Sequence, residues 1–209
     1  MMRAALLQVP RRPALTLIGV ACASVSGLAI LLHAAGWLPM YFVIDVLGPP
    51  SLVLLVLVGI YARRIDEALF LNRLLVGAGA GLAATGAYDV ARLALRASGA
   101  IGFDPFRTHP IFGMLITGQP LTSSTALAVG WAYHLWNGIG FAIMYTLVAG
   151  PAHPGYALAW AMLLEVAWLT ALPSTLNFQL NSDLLLVSVV GHTAYGITLG
   201  LLARRFIRA

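Results

Sequence analysis

Lysine is absent from the 209 residues, and charged side chains of all kinds make up only 9% of the chain. A soluble domain carries about 25% charged residues, so this chain has too few of them to cover a water-facing surface. Hydrophobic residues make up 60% of the sequence, and the mean hydropathy is +0.90. The composition excludes a soluble enzyme, a nucleic-acid-binding protein and a disordered tail, and it predicts a protein embedded in membrane lipids.

Two further absences remove whole classes of chemistry. Without lysine there is no Schiff base to retinal or pyridoxal phosphate and no phosphate-binding P-loop. Cys22 is the single cysteine, so an intrachain disulfide, a CxxC redox pair and an iron–sulfur site are excluded as well. Cys22 lies in an apolar stretch, where we expect it to be a small packing residue.

Six apolar runs have the length of about 20 residues that a helix needs to cross a bilayer. They cover residues 14–35, 41–61, 74–95, 123–148, 156–176 and 184–203. The connections are mostly short, which predicts an all-α integral membrane protein with a six-transmembrane-helix bundle in a single domain, 1–209. The first run is too long for a signal-peptide core, so we expect a retained helix. Pro49 and Pro50 interrupt the second run and predict a short interfacial segment with a kink before Ser51.

The positive charge consists entirely of arginine and is distributed unevenly along the chain. If both termini are cytoplasmic, nine arginines lie on the cytoplasmic side: Arg3, Arg11, Arg12, Arg63, Arg64, Arg73, Arg204, Arg205 and Arg208. Only Arg92, Arg96 and Arg107 then lie towards the outside. This asymmetry follows the positive-inside rule. It predicts a multi-pass protein of the cell inner membrane with the N-terminus and the C-terminus both in the cytoplasm.

The longest outer connection, residues 97–122, is moderately apolar and rich in glycine and proline, and it holds Asp104, Arg107 and His109. A connection that folds back onto the bundle as a lid would have this composition, because irregular backbone at membrane depth must be covered by protein. An ordinary interfacial loop is the alternative. We therefore expect a partly buried outer loop, and the role of His109 stays open.

Four ionisable residues lie far from the ends of the predicted helices: Asp89, His134, Glu165 and His192. Counting 1.5 Å per residue places each of them about 13 to 16 Å from the outer end of its helix. Ionisable groups at such depth are costly and are functional candidates by default. Because the four come from different helices but share one depth, we predict that they line a common pocket and act as its catalytic residues.

The neighbours of these residues are consistent with an inward-facing cluster. Small or polar residues recur every four positions on the third helix, ending at Asp89, and a similar stripe surrounds His192. Asn137 and Tyr195 share the faces of His134 and His192 and are predicted to contact a substrate. Arg92 can pair with Asp89 three residues earlier, or it can hold an anionic headgroup together with Arg107. Interhelical hydrogen bonding without a functional role is the competing interpretation.

The residue types allow two chemistries. Two carboxylates and two imidazoles could bind zinc or non-haem iron, with Asp89, His134, Glu165 and His192 as ligands. No HxxxH, HExxH or ExxH spacing supports this, since every ligand would come from a separate helix. The metal-free alternative is acid–base catalysis in a dry pocket.

The sequence favours a membrane-embedded enzyme, a hydrolase, isomerase or cyclase, that acts on a lipid-soluble molecule with an isoprenoid-like chain or an anionic headgroup. A proton-coupled transporter or channel is the alternative, because intramembrane acids and histidines also form proton relays. A non-catalytic subunit of a larger membrane complex is a third hypothesis. Membrane lipids are the expected partners, and either self-association or a larger complex is compatible with the short loops.

Overall fold

Seven helices make up the bundle in the computed structural model, which describes residues 12–175 and 179–208. They are α1 (Pro13–Ala34), α2 (Met40–Arg64), α3 (Ala68–Ala97), α4 (Thr108–Thr117), α5 (Ser124–Ala149), α6 (Pro154–Thr175) and α7 (Ser182–Phe206). No strand occurs within these described ranges. Arg3, Arg11 and the last residue of the fifth predicted run lie outside the described residues.

Each of the six predicted runs coincides with one long helix, and α4 is an additional short helix in the outer connection. Four helices, α1, α2, α3 and α7, are long and apolar enough to cross a membrane. These helices indicate a multi-pass helical membrane protein. α5 and α6 are not among the four, and α5 carries both His134 and Asn137 on its inner side. The number of crossings and the side of the termini therefore stay predictions.

α5 occupies the centre of the bundle, where it packs against α1, α3 and α4, while α7 lies between α3 and α6. Small residues allow the closest contacts. A Cβ atom at Gly81 of α3 would lie 2.8 Å from the Ile139 Cα of α5. A Cβ atom at Gly196 of α7 would lie 2.8 Å from the Leu158 Cα of α6. The stripes of small residues therefore bring neighbouring backbones close together.

α2 runs without interruption through Pro49 and Pro50, so the separate interfacial segment predicted before Ser51 is wrong. Prolines are tolerated within membrane helices more often than within soluble ones. Just after the prolines, the Ser51 hydroxyl donates a hydrogen bond of 2.7 Å to the Gly48 carbonyl oxygen. Gly48 itself packs against the Trp136 ring of α5.

The outer connection folds back onto the bundle through α4, which packs along α5 and also contacts α2. The two backbones meet at glycines: a Cβ atom at Gly113 would overlap the Ala126 carbonyl oxygen, and one at Gly130 would overlap that of His109. Ile101, His109 and Phe112 of this connection are buried. This packing matches a covering segment and does not match an interfacial loop.

The described arginines separate to opposite ends of the bundle. At one end, Arg12 contacts Tyr61 and Glu67, which places the start of α1 beside the end of α2. At the same end Asn72 accepts a hydrogen bond from the backbone N–H of Arg208. Arg92, Arg96 and Arg107 lie at the other end, close to α4. The ends of the bundle therefore differ strongly in positive charge.

Candidate active site

Asp89 of α3 and His134 of α5 form a carboxylate–imidazole pair. The Nε2 atom of His134 lies 3.0 Å from Oδ1 and 3.2 Å from Oδ2 of Asp89. The helices are in contact just below this pair, where a Cβ atom at Gly138 would overlap the Thr85 hydroxyl. Both side chains are mostly buried, with exposed fractions of 16% and 17%. A carboxylate so placed fixes the orientation of the imidazole ring.

Arg92 lies one helical turn beyond Asp89, with its Nη1 atom 4.0 Å from the carboxylate Oδ1. Its guanidinium group is stacked between two aromatic rings, 4.8 Å from the centroid of Tyr88 and 5.2 Å from that of Phe106. The Arg92 side chain is buried, and its Nε atom has no hydrogen-bond partner among the described residues. Stacking therefore holds the Arg92 guanidinium group in place, and its Nε–H group can donate a hydrogen bond to a bound molecule.

Glu165 of α6 and His192 of α7 form a second carboxyl–imidazole pair. Glu165 Oε2 lies 2.6 Å from His192 Nδ1, and the same nitrogen lies 3.1 Å from the Ser188 carbonyl oxygen. His192 Nδ1 therefore lies within reach of both a carboxylate oxygen and a backbone carbonyl oxygen. Within the described part of the chain, both Glu165 oxygens lack a hydrogen-bond partner. The pair is in contact, and either group can hold a proton exchanged with a ligand.

The ring of Tyr88 separates the two pairs and touches both. Its centroid is 5.8 Å from the His134 ring and 5.1 Å from the His192 ring, the latter in an edge-to-face arrangement. Both imidazoles line one pocket of about 70 Å³ between α3, α4, α5, α6 and α7. Of the four ionisable residues predicted to line one pocket, only the two histidines are in its wall, and Asp89 and Glu165 contact these histidines from behind.

The pocket wall contains five of the eight residues that the sequence assigned to the site: Arg92, His134, Asn137, His192 and Tyr195. Arg107 is not among the lining residues, and its guanidinium group stacks on the Phe103 ring at 4.2 Å. The Tyr195 hydroxyl donates a hydrogen bond of 2.6 Å to the Gly138 carbonyl oxygen, so it ties α7 to α5. Asn137 is buried and its Oδ1 atom lacks a partner among the described residues.

Sequence reasoning missed several parts of the wall: Thr85, Tyr88, Thr108, Phe112, Phe141, Leu164 and Trp168. It also left His109 unassigned. This residue stacks on Trp131 at 4.2 Å and meets the His134 ring edge-to-face at 4.6 Å. Its Nδ1 atom lies 2.9 Å from the Phe106 carbonyl oxygen. The moderately apolar composition of residues 97–122 predicted a covering segment but gave no signal for the position of His109 within it.

Burial, with a smaller contribution from the neighbouring His134, lowers the pKa of His109 to about 4. His109 is therefore neutral at physiological pH. Its Nε2 atom has no hydrogen-bond partner among the described residues. A neutral imidazole at this place covers the Asp89–His134 pair without adding a competing positive charge.

The described residues of the site do not provide a set of metal ligands. Zinc and non-haem iron sites use at least three protein ligands at one point. Among the described residues, no three histidine, cysteine, aspartate or glutamate side chains are grouped for that purpose. The two carboxyl–imidazole pairs are separated by Tyr88, so the zinc or iron alternative receives no support from their geometry.

Comparison of the chain with protein-family models, with characterised proteins and with solved structures gives no match. The function is therefore argued from the site alone.

Proposed function

We propose that this protein is a membrane-embedded enzyme that performs acid–base chemistry on a lipid-soluble molecule. The observation that carries the proposal is that the histidines of the Asp89–His134 and Glu165–His192 pairs both line one pocket. A single buried polar pair is commonly an interhelical contact. Two carboxyl–imidazole pairs at one pocket provide an acid and a base within reach of the same molecule.

Each pair has a distinct part in this scheme. His134 accepts a proton from the substrate, and the Asp89 carboxylate stabilises the imidazolium that forms. Glu165 and His192 supply or take up the second proton on the opposite side of Tyr88. The same arrangement serves an isomerase, a cyclase or a hydrolase, because each needs one proton removed and one delivered.

Arg92 stabilises negative charge that develops on the substrate during the reaction. A guanidinium group held between two rings does not have to reorganise when that charge appears, and this preorganisation is a major contribution to catalysis. The low-dielectric surroundings strengthen the interaction. Arg92 can equally hold an anionic headgroup, as the sequence suggested, and Asn137 offers a carbonyl oxygen to a donor on the substrate.

We place the protein in the cell inner membrane as six spans, α1, α2, α3, α5, α6 and α7, with both termini cytoplasmic. The concentration of described arginines at the end that carries Arg12, Arg64 and Arg205 supports this orientation. The pocket then lies in the outer half of the bilayer, and α4 covers it. Membrane lipids are its immediate partners.

A proton-coupled transporter is the second candidate, because acids and histidines inside a bundle can relay protons. Among the described residues, the cytoplasmic half of the bundle has few polar side chains that could carry a proton across it. Thr146 of α5 is fully buried there, and its hydroxyl is bonded to the Arg73 and Ala142 carbonyl oxygens. A pocket reached from one side favours catalysis. A non-catalytic subunit explains the two ionisable pairs least well.

The experiment compares purified wild type with Glu165→Gln in nanodiscs made from the lipid extract of the expressing membrane. Mass spectrometry of the lipids is expected to show a species that is converted by wild type and unchanged by the variant. Asp183→Asn, which removes a carboxylate outside the pocket in the first turn of α7, is the matched control and retains full conversion.

Size-exclusion profiles establish that Glu165→Gln is folded and inserted. Full conversion by this variant would remove Glu165 from the site. If wild type converts nothing but carries protons into proteoliposomes in a Glu165-dependent manner, the transporter replaces the enzyme.

A further inference from the structure

A second cavity lies beside the polar pocket and has a different character. It has a volume of about 250 Å³ and lies between α1, α5 and α6. Its wall is almost entirely aliphatic and aromatic, and Ser24 and Asn137 are the only lining residues with a hydroxyl or carboxamide group. A cavity of this composition excludes water and binds apolar matter, as an engineered cavity of about 150 Å³ that takes up benzene does.

The two cavities share one wall. Asn137, Phe141, Leu164 and Trp168 line both the apolar cavity and the polar pocket. Asn137, at this junction, is 7% exposed and has an unpartnered Oδ1 atom among the described residues. A molecule that extends from one cavity into the other would pass this carboxamide. Its apolar part would lie in the apolar cavity and its polar part in the polar pocket.

The apolar cavity opens sideways, towards the lipid. α1 and α6 scarcely touch, and the gap between them is bordered by Leu28, Leu31 and Leu163. These three leucines are 45%, 40% and 60% exposed on the outside of the bundle. A hydrocarbon chain could therefore slide in from the bilayer without crossing water.

The volumes limit the head and the tail of such a ligand. The polar pocket, at about 70 Å³, is much smaller than the apolar cavity, at about 250 Å³. That difference suits a small head, such as a carboxyl, carbonyl or hydroxyl group, on a longer apolar chain. Arg92 and the two imidazoles provide donors for oxygen. One apolar cavity with one lateral opening accommodates a single chain.

We infer that the ligand is a single-chain amphiphile, with its hydrocarbon chain between α1, α5 and α6 and a small oxygen-bearing head beside Arg92, His134 and His192. The chain enters from the bilayer through the gap between α1 and α6. This inference rests on the proposed function only in making the same molecule the substrate. Binding can be measured without any turnover.

The test uses photoreactive palmitic acid and photoreactive hexadecanol, each carrying a diazirine in the chain, with a diacyl phosphatidylglycerol probe for comparison. Purified wild type in nanodiscs is irradiated, and the labelled residues are mapped by mass spectrometry. Labelling is expected at the cavity-lining residues of α1, α5 and α6, and unlabelled single-chain lipid should compete for it. The acid and alcohol arms identify the head. Strongest labelling by the diacyl probe, or labels spread over the lipid-facing side of α2, would overturn the inference.

A matched pair of substitutions on α6 tests the cavity itself. Ala167 lines the apolar cavity, whereas Ala159 is exposed on the same helix and lines neither cavity. The phenyl ring of Ala167→Phe would occupy space that the hydrocarbon chain needs, so this variant should reduce labelling about tenfold, which corresponds to about 1.4 kcal/mol of binding free energy. Ala159→Phe should label like wild type. Equal labelling of both variants would overturn the inference, and the wild-type map decides the matter should Ala167→Phe not fold.

Failure of binding and failure of catalysis give different results. Glu165→Gln should keep the labelling pattern but lose lipid conversion, because Glu165 belongs to the proposed acid–base machinery and lines neither cavity. Labelling at the cavity without conversion by wild type would refute the enzyme and keep the ligand. Conversion that depends on Glu165 and is unaffected by Ala167→Phe would refute the ligand and keep the enzyme.

Discussion

Asp89 interacts with two positive or protonatable groups at different distances, the imidazole of His134 at 3.0 Å and the guanidinium of Arg92 at 4.0 Å. Arg92 is buried, so its charge depends on this carboxylate for compensation. An uncompensated buried charge is strongly destabilising. Asp89 therefore contributes to folding as well as to the proposed chemistry.

Asp89→Asn should lower the free energy of unfolding by roughly 2–4 kcal/mol, because it leaves the Arg92 charge without a counter-ion. Asp104→Asn is the control, since Asp104 pairs with Arg96 at 3.2 Å on the exposed surface and should cost at most about 1 kcal/mol. Denaturant unfolding in detergent micelles measures both. Adding Arg92→Met to Asp89→Asn should restore part of the loss. Equal effects of Asp89→Asn and Asp104→Asn would contradict this account.

The stability of the protein should decrease with acidification because of His109. Its pKa in the folded protein is about 4, against about 6.5 in an unfolded chain. The unfolded state therefore binds the proton first. The stability contributed by neutral His109 is complete above pH 6.5 and is lost as the pH falls towards 4. Between pH 8 and pH 5 the loss is about 2 kcal/mol.

Unfolding midpoints measured across this pH range provide the test. His109→Phe keeps the stacking on Trp131, removes the titration and should flatten the profile. His153→Phe, at an exposed position, should leave the profile as in wild type. An unchanged pH profile in His109→Phe would exclude His109 as the cause.

The sequence predicted the members of the site better than their contacts. Ionisable residues at one depth on separate apolar helices indicated a shared pocket, and the structure brings Arg92, His134, Asn137, His192 and Tyr195 to its wall. The sequence could not predict that His134 lies closer to Asp89 than Arg92 does. The contact between His134 and Asp89 depends on how closely α5 approaches α3. Tyr88 carries no intramembrane charge, so it gave no signal despite its place between the histidines.

At the scale of elements, α4 depends on backbone contact with α5 at two glycines. Gly130→Ala should push α4 away at the His109 carbonyl oxygen and destabilise the protein by about 1–3 kcal/mol. Gly86→Ala is the control: it has open space around it on α3 and should be neutral or stabilising by up to about 1 kcal/mol. Thermal unfolding in detergent distinguishes them. Equal stability of the two variants would show that the contact is not required.

Helix existence was predictable from hydropathy, whereas helix ends were not. The third run was predicted over 74–95, but α3 extends from Ala68 to Ala97 because Asn72 and Arg73 continue the helix beyond its apolar part. Hydropathy indicates where lipid contact ends, and a helix can continue past that point. The error in α2 has another cause: proline within an apolar helix is tolerated more readily than in a soluble one, and α2 continues through Pro49 and Pro50.

For the whole molecule, the orientation of the bundle can be tested with single cysteines in a Cys22→Ala background. Gln119 follows α4 and Arg208 follows α7, and both are exposed. A membrane-impermeant maleimide should label Gln119→Cys in intact cells and Arg208→Cys only after permeabilisation. The positive-inside distribution of arginine is the reason. Labelling of Arg208→Cys in intact cells would refute the proposed orientation.

The arrangement of helices around α5 was beyond sequence reasoning. Short connections suggest that neighbours in sequence pack together, yet α5 hardly touches α6 and packs instead against α1, α3 and α4. The choice depends on which surfaces are complementary, such as Gly140 of α5 against the Ala23 carbonyl oxygen of α1. The gap between α1 and α6, and with it the apolar cavity, follows from that choice.

The central place of α5 has a consequence for biogenesis. A nascent chain that has emerged only as far as α4 already contains α2, which α4 contacts, but the α5 surface against which α4 mainly packs has not yet been made. The glycine-lined seat for residues 109–113 belongs to a segment synthesised afterwards. Assembly of this protein must therefore wait for its fifth helix, and until then the outer connection and its histidine remain without their docking site.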